Sequence, residues 1–267
     1  MSDQPPAQSV LYDVTDGVAT VTLNRPAAMN SLDVATRVAL LDAVRQAADD
    51  TAVRCVVLTG TGRAFCVGQD LKEHVELLQQ GSDQLFQTVP EHYNPLLTAL
   101  ATMPKPVVAA LNGVAAGAGA SLAFACDLRV LSHGAGFNLA FAGIALSCDT
   151  GSSWTLPRLV GQAKAMELMY FPRTVSSEES LELGLATKVV PADALEDEVR
   201  ALARGLAAGP TVAYGAVRRS LNHSAGHDLA SSLAFEADMM ALTGATEDHR
   251  AAVDSFVAKQ KPVFEGR

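Results

Sequence analysis

The sequence has little positive charge, few cysteines and no long apolar run, and each shortage excludes a class of protein. Its 267 residues include 20 lysines and arginines against 29 acidic residues, for a net charge of −9 without a basic stripe. Nucleic-acid binding needs clustered cations on the phosphates, so a nucleic-acid partner is not expected. A membrane span needs about 18–20 consecutive apolar residues. No run approaches that length, so we expect no membrane partner.

Cysteine occurs four times and never as a CxxC pair, at Cys55, Cys66, Cys126 and Cys148. This usage predicts reduced, mostly buried thiols. The N-terminal residues MSDQPPAQS lack the basic and apolar regions of a signal peptide, which favours a cytoplasmic protein. No cluster of histidine, cysteine and carboxylate has metal-ligand spacing, so no metal is expected. The 49% of hydrophobic and 18% of charged residues are typical of a globular chain.

Residues 104–127, PKPVVAALNGVAAGAGASLAFACD, are the stretch around which the sequence is organised. Val107–Leu111 is a short apolar run that predicts a buried strand, and the small residues from Gly117 or Ala118 onward predict a buried helix. The start of a helix offers unpaired N–H groups and partial positive charge, so it attracts an anion or a developing oxyanion. Alternatively, the glycines only allow the helix to pack tightly on the strand, at Gly113, Gly117 and Gly119.

The N-terminal part of the chain predicts a strand, a helix and a strand in succession. Asp16-Gly17 between two apolar runs is a strong hairpin signal. Ser31 and Asp33 are candidate caps for an apolar-periodic helix, and Val53–Thr59 is the next buried strand. Such a succession is typical of a right-handed βαβ unit with a largely parallel sheet, in which ligands bind at loops that follow the strands.

The last third of the chain is predicted to be helical, with one strand at Lys188–Val190. Amphipathic helices gathered at one end commonly pack against another subunit, although packing within the chain explains them equally well. The predicted helices are Gln162–Tyr170, Ser177–Leu183, Ala194–Ala208, Pro210–Leu221, Leu229–Leu242 and Glu247–Ala258.

Three blocks resemble the signatures of the crotonase, or enoyl-CoA hydratase/isomerase, superfamily: GRAFCVGQDL at 62–71, the 104–127 stretch, and CDTGSSWTLPRLVG at 148–161. The resemblance implies an α/β fold, a spiral of repeated ββα units with a C-terminal helical trimerisation region. Residues 1–200 would then form the core with the acyl-CoA site, and residues 201–267 the oligomerisation region. The implied partners are an acyl-CoA thioester, with no cofactor besides its coenzyme A, and further copies of the chain in a trimer or a dimer of trimers.

The resemblance also implies that two backbone N–H groups bind the thioester oxygen. The matching positions are Gln69 and Ala118, and the second agrees with the interpretation of the central helix start. Proton transfer next to a thioester carbonyl places negative charge on its oxygen, and preorganised donors stabilise that enolate more than the ground state.

Two glutamates activate water in the hydratases of this superfamily, and both are absent here. The matching positions hold Ser121 and Phe141. The pKa of a serine hydroxyl is too high for an unaided general base, and phenylalanine has no group that can accept a proton. Efficient hydration of a 2-enoyl-CoA is therefore not expected.

Asp149 matches the acid/base aspartate of one group of superfamily isomerases. The likeness is greatest to isomerases that act on ring-1,2-epoxyphenylacetyl-CoA and on 3-enoyl-CoA esters. One carboxylate suffices for an allylic shift, because it can remove a proton from C2 and return it at C4. Desolvation by Phe141, Leu146 and Trp154 would raise the pKa of Asp149. Alternatively, Asp149 caps a helix that begins near Gly151.

Two other functions stay open at this point. The aspartate position is also the nucleophile of superfamily 4-chlorobenzoyl-CoA dehalogenases, but their histidine is replaced by Asn94, and His92 is off register. A crotonase fold without the glutamates is also compatible with a non-catalytic acyl-CoA binder. Cys148 is interpreted as a packed thiol rather than a nucleophile, and His74, like most other histidines, as a surface residue.

The resemblance also implies which residues bind coenzyme A and the acyl group. Arg25 and Lys259 are candidates for the phosphates, with a solvated surface charge as the alternative for each. The other candidates are Ala27, Ala64, Gly68, Asp70, Leu71, Gly117, Ser121, Phe141 and Trp154.

Overall fold

The structure is a computed structural model that describes residues 8–82 and 85–267. The interpretation of MSDQPPAQS falls mostly outside these residues. In the described ranges the strands are β1 (Val10–Thr15), β2 (Val18–Leu23), β3 (Cys55–Gly60), β4 (Ala64–Cys66), β5 (Val107–Leu111), β6 (Val114–Ala116), β7 (Leu128–Ser132), β8 (Gly136–Asn138), β9 (Thr174–Ser176) and β10 (Lys188–Val190). The helices are α1 (Val34–Asp49), α2 (Leu71–Gln79), α3 (Asn94–Thr102), α4 (Ala118–Ala125), α5 (Ser152–Val160), α6 (Gln162–Tyr170), α7 (Ser177–Glu182), α8 (Leu195–Ala207), α9 (Thr211–Ser224), α10 (Leu229–Gly244) and α11 (Glu247–Val257).

The strands form two sheets, and the strands from β3 to β8 alternate between them along the chain. The larger sheet has the order β1-β2-β3-β5-β7-β10 and is parallel except for the β1–β2 hairpin. The smaller sheet has the order β4-β6-β8-β9. Consecutive strands, such as β3 and β4 or β5 and β6, go to different sheets, so a ββα repeat adds one strand to each. The predicted α/β fold of repeated ββα units is confirmed.

Local turn and cap chemistry accounts for the N-terminal elements. Asp16 and Gly17 adopt φ of 52° and 75°, which the tight hairpin requires. The Asp33 carboxylate caps α1, accepting a 2.8 Å hydrogen bond from the N–H of Thr36. The other candidate cap, Ser31, instead donates a hydrogen bond to Asp70.

The larger sheet is covered on both faces. One face packs with α1, α3 and α4 in a cluster that includes Leu40, Leu100 and Leu122, all fully buried. On the other face, α8 covers β2, β3 and β5 through Val199 and Ala203. Helix α8 crosses the boundary predicted at residue 200, and that boundary stays a prediction.

The thiols follow their prediction, and four short strands were not predicted. All four cysteines are free; three are buried and Cys148 is half-buried. Strands β4, β6, β8 and β9 have three residues each, and the sequence analysis predicted none of them. None of the helices in the described ranges is both long and apolar enough to cross a membrane.

The C-terminal helices expose an apolar face. Helices α10 and α11 have few buried residues, and their large apolar side chains lie open to solvent in the single chain. Examples are Leu229 at 74%, Met240 at 73% and Phe256 at 84% exposure. This face fits the predicted oligomerisation region, which stays a prediction.

The end of the chain is fixed to the first half of the core. Arg54, directly before β3, donates a 3.0 Å hydrogen bond to the carbonyl oxygen of Phe264. The Asp248 carboxylate accepts hydrogen bonds from the N–H groups of Glu265 (2.6 Å) and Gly266 (2.9 Å). The residues after the last helix are therefore part of the folded unit.

Two glycine substitutions should have opposite effects on stability. A methyl group on Gly113 would lie 2.1 Å from the carbonyl oxygen of Arg63, so Gly113→Ala should lower the free energy of unfolding by about 1–3 kcal/mol. Gly205 on α8 has no atom within 4 Å of an added methyl, so Gly205→Ala should raise it by about 0.5–1 kcal/mol. Urea unfolding followed by circular dichroism measures both, and equal stability of the two variants would contradict the packing described.

Candidate active site

Two backbone turns touch where β4 and β6 end. The two strands are parallel neighbours, so their carboxyl ends meet at one edge of the smaller sheet. A side chain on Gly68 would lie 2.9 Å from the carbonyl oxygen of Ala116 and 3.2 Å from the nitrogen of Ala118. Gly68 also has φ of +87°, which side chains rarely permit. Glycine at this position therefore lets the two turns come into contact.

This contact brings the two predicted oxyanion donors together. The carbonyl of Gly68 accepts a bond from Leu32, and the N–H of Asp70 donates to the carbonyl of Leu32, at 2.8 and 3.1 Å. Because successive peptide groups alternate in direction along an extended chain, the N–H of Gln69 points away from Leu32. Ala118 is the first residue of α4, so its N–H has no partner within the helix.

The glycines of the central stretch serve different purposes. A side chain on Gly119 would lie 2.1 Å from the carbonyl oxygen of Cys66, so this glycine allows α4 to pack tightly on β4. Gly117 instead has φ of +51°, and the nearest atom to an added side chain is Cε1 of Phe141, at 3.9 Å. The packing explanation holds for Gly113 and Gly119, whereas Gly117 sets the backbone angle at the helix start.

Neither glutamate position of the hydratases offers a base. The hydroxyl of Ser121 is buried, donates a 3.1 Å bond to the carbonyl of Gly117, and shares a short hydrogen bond with Ser152. The ring of Phe141 is 9% exposed and lies beside Gly117. The surroundings of the helix start are therefore apolar on the side of Phe141.

Asp149 is half-buried and pairs with no cation in the described part of the chain. The hydroxyl of Thr150 donates a 2.9 Å hydrogen bond to its carboxylate. Burial raises the pKa of Asp149, and the Thr150 hydrogen bond offsets this only in part. The cap of α5 is Gly151, with no side-chain hydrogen bond, so the alternative that Asp149 caps this helix is wrong. Its carboxylate is left available for proton transfer.

Trp154, which was expected to help desolvate Asp149, and Asn94, at the position of the dehalogenase histidine, are both exposed to solvent. Trp154 is 40% exposed, with the guanidinium carbon of Arg158 4.4 Å from its ring centroid. Asn94, the position of the dehalogenase histidine, is exposed. The Nδ1 atom of His92 lies 3.3 Å from the hydroxyl of Thr88. Asn94 therefore does not face the interior of the protein.

Arg25 is already paired with carboxylates. Its guanidinium nitrogens lie 3.0 Å from both Asp70 and Asp33. The alternative of a solvated surface charge is therefore wrong, and phosphate binding would compete with these pairs. Burial opposes ionisation of Asp70, but hydrogen bonds from Ser31 and Arg25 outweigh it and lower the pKa of Asp70.

The remaining predicted coenzyme A residues are spread more widely. The carbonyl oxygen of buried Ala64 accepts bonds from the side-chain amides of Asn30 and Asn112, at 2.8 and 3.1 Å. Ala27 is exposed, and Leu71 is 60% exposed at the start of α2. Lys259 is exposed beyond the end of α11.

The contacts of two further side chains, His74 and Tyr93, were not predicted. The Nδ1 atom of His74 lies 3.4 Å from the side-chain nitrogen of Gln69. A signal for this was present, because Asp70 caps α2 and so places residue 74 in the first helical turn. Tyr93 is fully buried, and the sequence analysis did not single it out. No group of three possible metal ligands was found among the described residues.

Comparison with known proteins agrees with the family resemblance of the sequence over nearly the full length of the chain. The sequence model described as enoyl-CoA hydratase/isomerase matches residues 13–267. The 1,2-epoxyphenylacetyl-CoA isomerase of Escherichia coli is 39% identical, covering 97% of this chain and 98% of that protein. The crotonyl-CoA hydratase of Syntrophomonas wolfei is 31% identical, covering 96% and 98%. A crystal structure from Mycobacterium abscessus, of a protein named for the same family, is 42% identical, with a TM-score of 0.93 over 97% and 100% of the chains.

The Arg25–Asp70 pair predicts a pH dependence of stability. Since the pKa of Asp70 is lower in the folded state than its ordinary value of 3.8, its ionisation stabilises the fold above pH 4. This contribution is lost as the pH falls through the folded-state pKa. Asp70→Asn should therefore be less stable than wild type by about 1–3 kcal/mol at pH 7, with a smaller difference at pH 3. Urea unfolding at both pH values measures this, and a constant difference would contradict it.

Proposed function

The chain belongs to the enoyl-CoA hydratase/isomerase family, and we propose that it is an acyl-CoA isomerase that shifts a double bond through a thioester enolate. The observation that carries this proposal is the combination of one available carboxylate, Asp149, with Ser121 and Phe141 at the two glutamate positions of the hydratases. The relatives include both isomerases and hydratases, so the choice depends on these side chains.

The backbone turns supply the first part of the chemistry. The thioester oxygen of a bound acyl-CoA accepts hydrogen bonds from the N–H groups of Gln69 and Ala118. Both donors are held by the sheet edge and the start of α4, so they need no reorganisation when negative charge develops. Each donor of this kind typically lowers the barrier by about 2.7–4 kcal/mol.

Asp149 supplies the second part. Its carboxylate removes a proton from C2 of a 3-enoyl-CoA, and the electron pair is delocalised as a dienolate onto the thioester oxygen. The same carboxyl group then returns the proton at C4, which gives the conjugated 2-enoyl-CoA with no change in composition. Opening of a ring epoxide next to the thioester can use the same enolate. Burial makes Asp149 a stronger base than an exposed aspartate.

Hydration is less compatible with this site. Adding water across a 2-enoyl-CoA requires a base that activates the water and an acid that protonates C2. Ser121 is held by Gly117 and Ser152, and Phe141 has no ionisable group. Dehalogenation lacks an imidazole at position 94, where Asn94 is exposed.

The apolar face of α10 and α11 supports assembly of the chain with copies of itself. We infer a homotrimer, or a dimer of trimers, in which Leu229, Met240 and Phe256 are covered. Exposed apolar patches of this kind mark interaction surfaces. Lys259 follows α11 and would then lie close enough to a neighbouring subunit to contact its coenzyme A phosphates.

The proposal is tested with purified protein and trans-3-hexenoyl-CoA, assayed by absorbance and mass spectrometry. We expect conversion to the 2-enoyl ester without a change in mass. Asp149→Asn should lower kcat by about 10²- to 10⁴-fold with little change in acyl-CoA affinity. Asp228→Asn is the matched control, since Asp228 caps α10 and asparagine also caps helices.

Other substrates identify the alternatives. Gain of one water by crotonyl-CoA would contradict the mechanism, because a group other than the glutamates would have to activate the water. Chloride release from 4-chlorobenzoyl-CoA would favour dehalogenation. Binding of acyl-CoA esters without conversion of any of them would make the protein a non-catalytic binder.

The raised pKa of Asp149 also predicts a pH profile. The base form is lost as the pH falls through this pKa, so kcat should decrease on the acid side with a midpoint above the ordinary value of 3.8. Circular dichroism at each pH shows whether the protein is folded. A midpoint at or below 3.8 in folded protein would mean that a different group is the base.

A further inference from the structure

Tyr93 carries a buried hydroxyl group that lacks a well-formed hydrogen bond in the described part of the chain. Its side chain is fully buried, and the phenol oxygen interacts with the Arg37 side chain without a hydrogen bond of good geometry. Buried polar groups are normally paired, since an unpaired one loses its hydration without compensation. A tyrosine in place of phenylalanine is therefore a cost to the fold that calls for a functional explanation.

The backbone directs Tyr93 toward the segment that holds Asp149. Tyr93 ends a π-helical turn, Val89–Tyr93, that continues into α3, and such turns are frequent at functional sites. Leu97 lies one helical turn later on the same face of α3. An added side chain on Gly151 would lie 2.0 Å from a methyl group of Leu97, so this face of α3 packs on the loop after Asp149.

A buried cation lies beside the phenol ring. The guanidinium carbon of Arg37 is 5.6 Å from the Tyr93 ring centroid, and Arg37 is 1% exposed. Its terminal nitrogens donate to the carbonyl of Leu32 and to Glu73, at 2.8 and 2.6 Å, whereas its Nε forms no well-oriented hydrogen bond with the described residues. Burial raises the pKa of Tyr93, the charge and the side-chain contact of Arg37 act against this, and the negative charge of Asp149 raises it further. The phenol is thus a proton donor at neutral pH.

We propose that Tyr93 is a positioning residue that acts through Asp149, its hydroxyl group donating a hydrogen bond to the ionised carboxylate in the occupied site. This inference rests on the proposed function of Asp149 as the base. The Asp149 carboxylate accepts one side-chain bond, from Thr150, and has capacity for more. Arg37 lies over the Tyr93 ring and polarises the phenol, which strengthens it as a donor.

Tyr93→Phe separates this role from a structural one. Removal of an unpaired buried hydroxyl should leave the protein as stable as wild type, or raise Tm by about 2–4 °C. A purely structural tyrosine would then leave activity unchanged. Tyr12→Phe is the matched control, since the Tyr12 hydroxyl on β1 is also buried and has no hydrogen-bond partner among residues 8–82 and 85–267.

In the isomerase assay we expect Tyr93→Phe to lower kcat at least about tenfold, with little change in KM. Without the donor, the carboxylate of Asp149 is harder to ionise, so the acid limb of the kcat profile should move to higher pH. Tyr12→Phe should match wild type in kcat and in pH profile. An unchanged pH profile for Tyr93→Phe would overturn the proposal.

A second measurement does not depend on turnover. Melting temperatures of wild type, Tyr93→Phe, Asp149→Asn and the double variant, each with saturating hexanoyl-CoA, form a double-mutant cycle. Coupled residues give non-additive shifts, and additive shifts would overturn the proposal. If Asp149→Asn leaves turnover intact, the proposal that Asp149 is the base of the isomerase is wrong. The double-mutant cycle still tests the Tyr93–Asp149 interaction, because it does not depend on turnover.

Discussion

The contact between the backbone of Gly68 and that of Ala118 is the constraint on which the site depends. It exists because β4 and β6 are parallel neighbours that end at the same edge of the sheet, and because Gly68 carries no side chain at the point of approach. The contact places the N–H groups of Gln69 and Ala118 together without help from any charged residue. Polarity at this point is therefore fixed by the fold, and the surrounding side chains are left to determine the reaction.

Those side chains divide the site into an apolar part and a single acid. Phe141 borders the helix start, and the hydroxyl of Ser121 is held by its own helix and by Ser152. Burial of Asp149 raises the pKa of the one carboxylate that the proposed mechanism uses.

Much of the fold was predictable from local patterns, and the reasons are visible in particular elements. Val107–Leu111 and Lys188–Val190 are apolar runs between breaking residues, and the structure has them with those bounds. The hairpin turn is determined by two adjacent residues, Asp16 and Gly17, which both have positive φ. Strands β6, β8 and β9 are too short for a periodic signal, because their pairing depends on neighbours far away in sequence.

Motifs supplied the candidate site residues, whereas interactions between residues that meet only in three dimensions could not be predicted. Gln69, Ala118 and Asp149 came from the family resemblance, and their roles stay predictions. Local propensity suggested that Asp149 caps α5, and the structure excludes this. The hydrogen bond between Ser121 and Ser152 and the burial of Tyr93 beside Arg37 depend on packing that no spacing in the sequence encodes.

The attachment of the chain end to Arg54 also has a consequence for biosynthesis. Arg54 and Phe264 are 210 residues apart, so the guanidinium leaves the ribosome long before its carbonyl acceptor. At roughly 5–20 residues per second, the delay is on the order of 10–40 s. During translation the part of the core beside Arg54 therefore lacks this contact until Phe264 has left the ribosome.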